Sequence, residues 1–210
     1  MRFGVDEAGK GPVLGSMFVV ALRAPTSRLP EDVDDSKRLS EAKREAIADR
    51  LRADDRVSIA VIEVPPERID ADNMNDLAVS AHADAIAAVA ERGDRGLCDA
   101  ADTDAARFAD RVEDRIGNDV SITAIHGADA TDDHVGAASV VAKSERERHV
   151  AALRERFGDL GSGYPSDPTT RAFLRRYFAE HGTFPPPTRT SWSTCATIRA
   201  EAEQSGLGDF

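Results

Sequence analysis

Asp6 and Glu7 stand side by side at the end of the apolar run Phe3 to Val5, and Gly9-Lys10-Gly11 follows at once. A carboxylate pair repels phosphate, whereas a glycine loop carrying a lysine attracts it. The two fit one site only if a cation joins the acids. Asp99 closes another short apolar run, and Asp129 lies within "HGADATDDH". Acids at the ends of neighbouring strands converge on one edge of a sheet. Four such carboxylates would offer hard oxygen donors suited to Mg²⁺ or Mn²⁺ rather than zinc. Bound divalent ions would turn a phosphate-repelling site into a phosphate-binding one. The competing reading makes strand-end acids loop residues or helix caps, a role that suits Asp102, Asp104, Asp132 and Asp133.

Lysine placement supports a phosphate-facing site. Of the 27 basic residues only four are lysine, and Lys10 in "GKG", Lys37 in "DSK" and Lys143 in "AASVVAK" sit beside small or polar residues. Lysine is a compact point charge for phosphate, and flanking glycines let the backbone approach closely. "GKG" is not a Walker loop, because no G-x-x-x-x-G-K-[ST] pattern is present. The 38 acidic residues leave a net charge of -11, which taken naively argues against a nucleic-acid partner. Few lysines with abundant arginine and aspartate is a halophile-like composition. At ~1 M salt the Debye length is roughly 3 Å, so repulsion between the surface and a polyanion is screened. Cys98 and Cys195 show no metal-ligand or disulfide spacing and read as small buried residues. No basic, apolar leader and no membrane-length apolar run occurs, so a cytoplasmic protein is expected.

The elements that must position these residues alternate. Strands are expected at 2–7 and 13–22, paired as a hairpin across the glycine loop, then at 56–64, 96–100 and 119–125. Ser40 caps a helix over 41–53, Asn73 precedes another, and an amphipathic helix spans about 103–116. Pro65-Pro66 reads as the stop of the third strand. From about 135 onward the pattern is helical. The fold class is α/β, a mixed sheet flanked by helices. The expected division is a catalytic core over 1–135, a helical part packed on it over 136–203, and a tail over 204–210.

Five segments occur in a recognisable order: "GVDEAGKGPVLGS", "DSKRLS", "CDAAD", "GADATDDHVGAASVVAKSERER" and "GSGYPSDPTTRAFL". Together they resemble ribonuclease HII, the type 2 ribonuclease H, most of all its archaeal branch, across nearly the whole chain. The resemblance implies a ribonuclease H-like fold with a helical C-terminal extension and cleavage of RNA hybridised to or embedded in DNA. It implies that Asp6, Glu7, Asp99 and Asp129 are catalytic metal ligands for two divalent ions, Mg²⁺ or Mn²⁺. It places Gly9, Lys10 and Gly11 against the ribose 2′-hydroxyl, the group that separates RNA from DNA. Tyr164 matches the family tyrosine that stacks on the sugar at the RNA to DNA junction. Ser139, Lys143 and Lys37 would help hold the substrate backbone. The family usually has G-R-G where this chain has Gly9-Lys10-Gly11, so the charge is kept and the fork geometry of arginine is lost.

The end of the chain, "EAEQSGLGDF", spaces Gln204, Leu207 and Phe210 as Q-x-x-L-x-x-F. This looks like a shortened peptide motif for the sliding clamp, proliferating cell nuclear antigen, with one aromatic where the full motif carries two. A monomer without a membrane role is expected. The alternatives are another ribonuclease H-fold metal nuclease, such as a resolvase or exonuclease, and a non-catalytic nucleic-acid or clamp-binding module. Of the five histidines, His126 and His134 flank Asp129 and are the ones expected near the metal ligands.

Overall fold

A computed structural model describes residues 1–30, 39–117 and 119–207. Lys37 and Phe210 lie outside the described residues. A five-stranded sheet forms from β1 (Arg2–Ala8), β2 (Met17–Ala24), β3 (Ser58–Val64), β4 (Arg95–Asp99) and β5 (Ser121–Ile125), in the order β3-β2-β1-β4-β5. The β1/β2 and β2/β3 pairs are antiparallel, and β1/β4 and β4/β5 are parallel. The sheet is thus mixed, as alternation of strands and helices after an initial hairpin predicts.

Side chains alternate across β1 and β2 and divide the core in two. Phe3, Val5, Val19 and Ala21 pack toward α3 (Met74–Val89) and α4 (Ala105–Ile116). Ala8, Val20, Leu22 and Ala24 pack toward α1 (Glu41–Ala53) and α5 (Asp133–Phe157). The first half of α5 is Gly-, Ala- and Val-rich and buried from His134 to Ala142, so its backbone lies close on the sheet. Gly4 permits that approach, because a Cβ there would sit 2.2 Å from the His134 carbonyl carbon. A third cluster joins Val13, Leu14 and Val150 to α6 (Pro168–His181) and α7 (Ser193–Leu207).

Two expectations are revised. The second strand begins at Met17 rather than 13, because the preceding residues pair elsewhere. The Val13 and Leu14 amides donate to the Gly163 carbonyl at 2.8 and 3.2 Å, and the Gly15 amide donates to Pro187 at 2.7 Å. Val13–Ser16 is therefore an apolar strap to the C-terminal segment, and its hydrophobic character mimics a strand. Pro65-Pro66 does end β3, but Pro66 also opens a short helix, α2 (Pro66–Ala71). Proline at the first helical position loses no hydrogen bond and carries a suitable φ.

Candidate active site

β1 places Asp6 and Glu7 on opposite faces of the sheet next to its parallel neighbour β4, which ends at Asp99. Asp6 points to the α5 side. Asp129 arrives on a short 3₁₀ turn, Ala128–Ala130, after Gly127 adopts a left-handed conformation at φ 70°. The Gly127 amide donates to Asp99 Oδ1 at 2.8 Å, which ties that turn to the end of β4. The result brings one carboxylate oxygen each from Asp6, Asp99 and Asp129 within 4.8 Å of one another. Asp6 and Asp129 are buried and Asp99 is half-buried.

Glu7 lies on the α3 side of the same strand end, with Oε2 buried and lacking a hydrogen bond among the described residues. It faces His82 Nε2 at 3.6 Å. His82 Nδ1 donates to the Ala78 carbonyl at 2.9 Å, and burial holds the imidazole pKa down at about 4. The neutral ring therefore presents a lone pair to Glu7 rather than a charge. Burial first, then the neighbouring Asp6 and Asp99 charges, pushes the Glu7 carboxyl well above its usual range. Asp6 is likewise raised, by burial and by Asp99, against the opposing pull of Ser139 and Lys143. Ser139 is fully buried and makes no hydrogen bond of regular geometry, yet it lies close enough to Asp6 to favour the anion. Lys143 Nζ stands 3.6 Å from Asp129.

This arrangement fits a divalent cation. Buried carboxylates crowd together, their ionised forms are disfavoured, and the donors are all hard oxygens. Asp104 and Asp132 take the capping role instead, whereas Asp102 accepts from the Thr103 amide at 2.6 Å ahead of α4 and Asp133 is the first residue of α5. Asp104 accepts from the Arg107 amide at 3.0 Å, and Asp132 accepts from the His134 and Val135 amides at 2.9 and 3.2 Å.

Beside the acids runs a cleft of about 310 Å³, lined by Glu7, Gly9, Lys10, Gly11, Arg44, Lys143, Arg146, Glu147 and Tyr164 among others. Gly9 needs its φ of 87°, and a Cβ there would also meet the Ser16 carbonyl at 2.8 Å. The Lys10 ammonium turns along the cleft to the Ala101 carbonyl and lies near enough to Glu7 to favour its anion. Tyr164 is 39% exposed, and its ring edge lies 3.6 Å from where a Gly11 Cβ would be. The Arg146 guanidinium lies over that ring, 4.9 Å from its centroid, and donates to the Ser162 carbonyl at 2.6 Å. Arg44 pairs with Glu147 on the far wall.

The structure thus gathers Asp6, Glu7, Asp99, Asp129, Ser139 and Lys143 at one sheet edge, with Gly9, Lys10, Gly11 and Tyr164 along the adjoining cleft. Gln204 is exposed in the last turn of α7, which ends at Leu207, away from the residues that line this cleft. His134 Nε2 donates to the Ala24 carbonyl at 3.0 Å, and His126 Nε2 donates to the Thr103 carbonyl at 3.3 Å. The histidine that meets a carboxylate of the site is His82, which its position on the apolar face of α3 disguises as core. Arg44 and Arg146 also line the cleft, and in an arginine-rich sequence no spacing marks them.

Comparison with known proteins agrees with this geometry. The family model described as Ribonuclease HII matches residues 3–195. A relative from Natronomonas pharaonis named Ribonuclease HII is 63% identical over 207 residues, covering 99% of this chain and 98% of its own. The solved ribonuclease H2 of Pyrococcus horikoshii superposes with a TM-score of 0.88 at 33% identity, covering 95% of this chain and 97% of that one. RNase HII from Archaeoglobus fulgidus, solved in complex with PCNA, gives 0.85 at 36% identity, with the same coverage of 95% and 97%. Similar relatives also come from the halophiles Haloarcula marismortui and Halobacterium salinarum, in keeping with the acidic, lysine-poor composition. An acid cluster at the edge of a ribonuclease H-fold sheet, in a sequence matched almost end to end, places this chain in the ribonuclease HII family of endonucleases acting on RNA/DNA.

Proposed function

We propose that this enzyme incises on the 5′ side of ribonucleotides embedded in duplex DNA and hydrolyses the RNA strand of RNA/DNA hybrids, serving ribonucleotide and RNA primer removal. The observation that carries this reading is the carboxylate cluster of Asp6, Asp99 and Asp129 beside a cleft that Glu7 and Lys143 share with Gly9-Lys10-Gly11 and Tyr164. Glu7 would complete the ligand set from the other face of β1. Two Mg²⁺ or Mn²⁺ ions bound there would lower the pKa of an attacking water and stabilise the departing 3′-oxygen, giving 3′-hydroxyl and 5′-phosphate ends.

The chain's own groups do the rest. Lys143, beside Asp129, keeps one fixed positive charge at the acid cluster when a phosphate approaches. Tyr164, held by Arg146, offers an exposed ring face on which a sugar can rest. The glycine loop brings main-chain donors against the 2′-hydroxyl that a side chain would obstruct. Ser139, buried beside Asp6, favours the Asp6 anion.

Matched duplexes containing no, one or several ribonucleotides, incubated with Mg²⁺, Mn²⁺ or chelator across a salt series, test the reading. Incision is expected 5′ of the ribonucleotide, only with divalent ion, leaving a 3′-hydroxyl. Equal cleavage of the all-DNA duplex would point instead to another ribonuclease H-fold nuclease, and no turnover with either ion to a binding module.

We also infer that Gln204, Leu207 and Phe210 dock on the sliding clamp. The exposure of Gln204 at the end of α7 supports this, as does the A. fulgidus relative having been solved with PCNA. One helical turn brings residues three apart onto one face, suiting insertion of an apolar plug into a groove. Removing residues 204–210 should abolish clamp pull-down and leave cleavage of a free oligonucleotide within about twofold, since Gln204 is exposed at the end of α7 and does not line the cleft. Undiminished pull-down would defeat the assignment.

A further inference from the structure

Arg189 is fully buried behind the glycine loop, and it is absent from the cleft lining. Its guanidinium donates to three carbonyls of that one loop: Nε to Gly15 at 2.9 Å, Nη1 to Lys10 at 2.7 Å and Nη2 to Gly9 at 2.5 Å. The planar fork of arginine can reach all three at once, as the single ammonium of lysine cannot. Burying a cation is costly, and here its partners are carbonyl dipoles of the substrate-facing loop.

Peptide planarity carries the consequence to the other side. Among the described residues no cis bond is present, so the Gly9 carbonyl and the Lys10 amide point in opposite directions, and so do the Lys10 carbonyl and the Gly11 amide. With both carbonyls drawn back onto Arg189, the Lys10 and Gly11 amides face the cleft that these same residues line. The third carbonyl of the run is held too, since Trp192 Nε1 donates to Gly11 at 3.4 Å. Arg189 is itself braced. Trp192 lies 5.3 Å from its guanidinium, and Asp70 accepts from the amides of Thr190 and Ser191 at 2.7 and 3.0 Å and from their hydroxyls at 2.8 and 2.6 Å.

We propose that Arg189 is a positioning residue for ribonucleotide recognition, turning the Lys10 and Gly11 amides outward toward the 2′-hydroxyl of a sugar lying against Tyr164. This rests on the reading above that the loop contacts the ribose. It also assigns a task to the C-terminal segment, which otherwise serves as packing: it sets the donor directions of a loop nearly the whole chain length away.

Fluorescence anisotropy in chelator compares binding of the full-length protein to a duplex with one ribonucleotide and to the same duplex in DNA. Wild type should prefer the ribonucleotide. Arg189→Lys, which keeps the charge and loses the fork, should lower that preference at least ~5-fold, the worth of about one hydrogen bond. Its thermal shift on adding Mn²⁺ should stay unchanged, because the acid cluster is untouched. Asp70→Asn, which loosens the brace without altering Arg189, should move the preference the same way by less, and it decides the matter if Arg189→Lys does not fold. Unchanged preference in the folded variants overturns the role of Arg189 alone. Loss of the Mn²⁺ shift together with the preference also overturns it, showing general loosening. A wild type without preference overturns the loop's contact with the ribose, and the inference with it.

Discussion

Replacing Asp6 by asparagine is expected to stop cleavage and, in the same molecule, to stabilise the metal-free protein at neutral pH. Asparagine keeps the shape of the side chain in a site where Asp6 is 6% exposed, so packing against Ser139 and the sheet is conserved. What is lost is the charge that would hold the cation. Cleavage should fall at least ~10³-fold, about 4 kcal/mol of transition-state stabilisation. The stability change runs the other way for an electrostatic reason. Burial raises the folded pKa of Asp6 to about 7, well above its unfolded value of 3.8.

The sign follows from linkage. Below the unfolded pKa the carboxyl is protonated in both states and costs nothing. As pH rises the unfolded chain ionises first, so the folded state is disfavoured progressively until its own pKa is passed. Metal-free wild type should thus lose stability between about pH 4 and pH 7, and Asp6→Asn should lack that part of the loss. In chelator at pH 8 the variant's Tm should exceed that of wild type by at least ~2–4 °C, the shift about 1 kcal/mol produces in a domain of this size. At pH 4 the two should coincide. Asp99→Asn should also stop cleavage. A Tm for Asp6→Asn that falls at pH 8, or retained cleavage, would remove the metal-site reading.

The carboxylates were legible because they obey a topological rule: strand ends in a mixed sheet meet at one edge, and Asp6, Glu7 and Asp99 sit at strand ends. The fold class followed from alternation, and the caps at Ser40, Asn73, Asp104 and Asp132 from local chemistry that needs no tertiary context. What stayed hidden depends on long-range partners. His82 meets Glu7 only once α3 packs under β1, and its neighbours in sequence look like ordinary core. Val13 and Leu14 have the composition of a strand, but their hydrogen bonds go to Gly163, far along the chain. Arg189 is one arginine among many until its three carbonyl partners are seen. Hydrophobic pattern reports that a residue is buried and is silent on what it is buried against.

That silence is sharpest at Gly4, the second position where a single substitution should have a large effect. In sequence it is a glycine inside a strand, which ordinarily weakens the strand. In the structure a Cβ at this position would lie 2.2 Å from the His134 carbonyl carbon, 2.3 Å from the Val135 nitrogen and 2.5 Å from the His134 oxygen. All three are backbone atoms of the first turn of α5, so no rotamer change relieves the clash. The helix must move off β1, and the same helix carries Ser139 and Lys143 to the acid cluster. Gly4→Ala should therefore cost about 3 kcal/mol or more, the upper range for overpacking a core, lowering Tm by roughly 6–12 °C. It should also reduce cleavage at temperatures where the protein remains folded, because two cleft residues shift with the helix. Gly11→Ala is the control: its Cβ would make an ordinary 3.6 Å contact with Tyr164, and Tm should stay within about 2 °C of wild type. If Gly4→Ala melts with wild type, α5 does not rest on the β1 backbone, and the route by which a glycine in the first strand sets the distance from Asp6 to Ser139 is wrong.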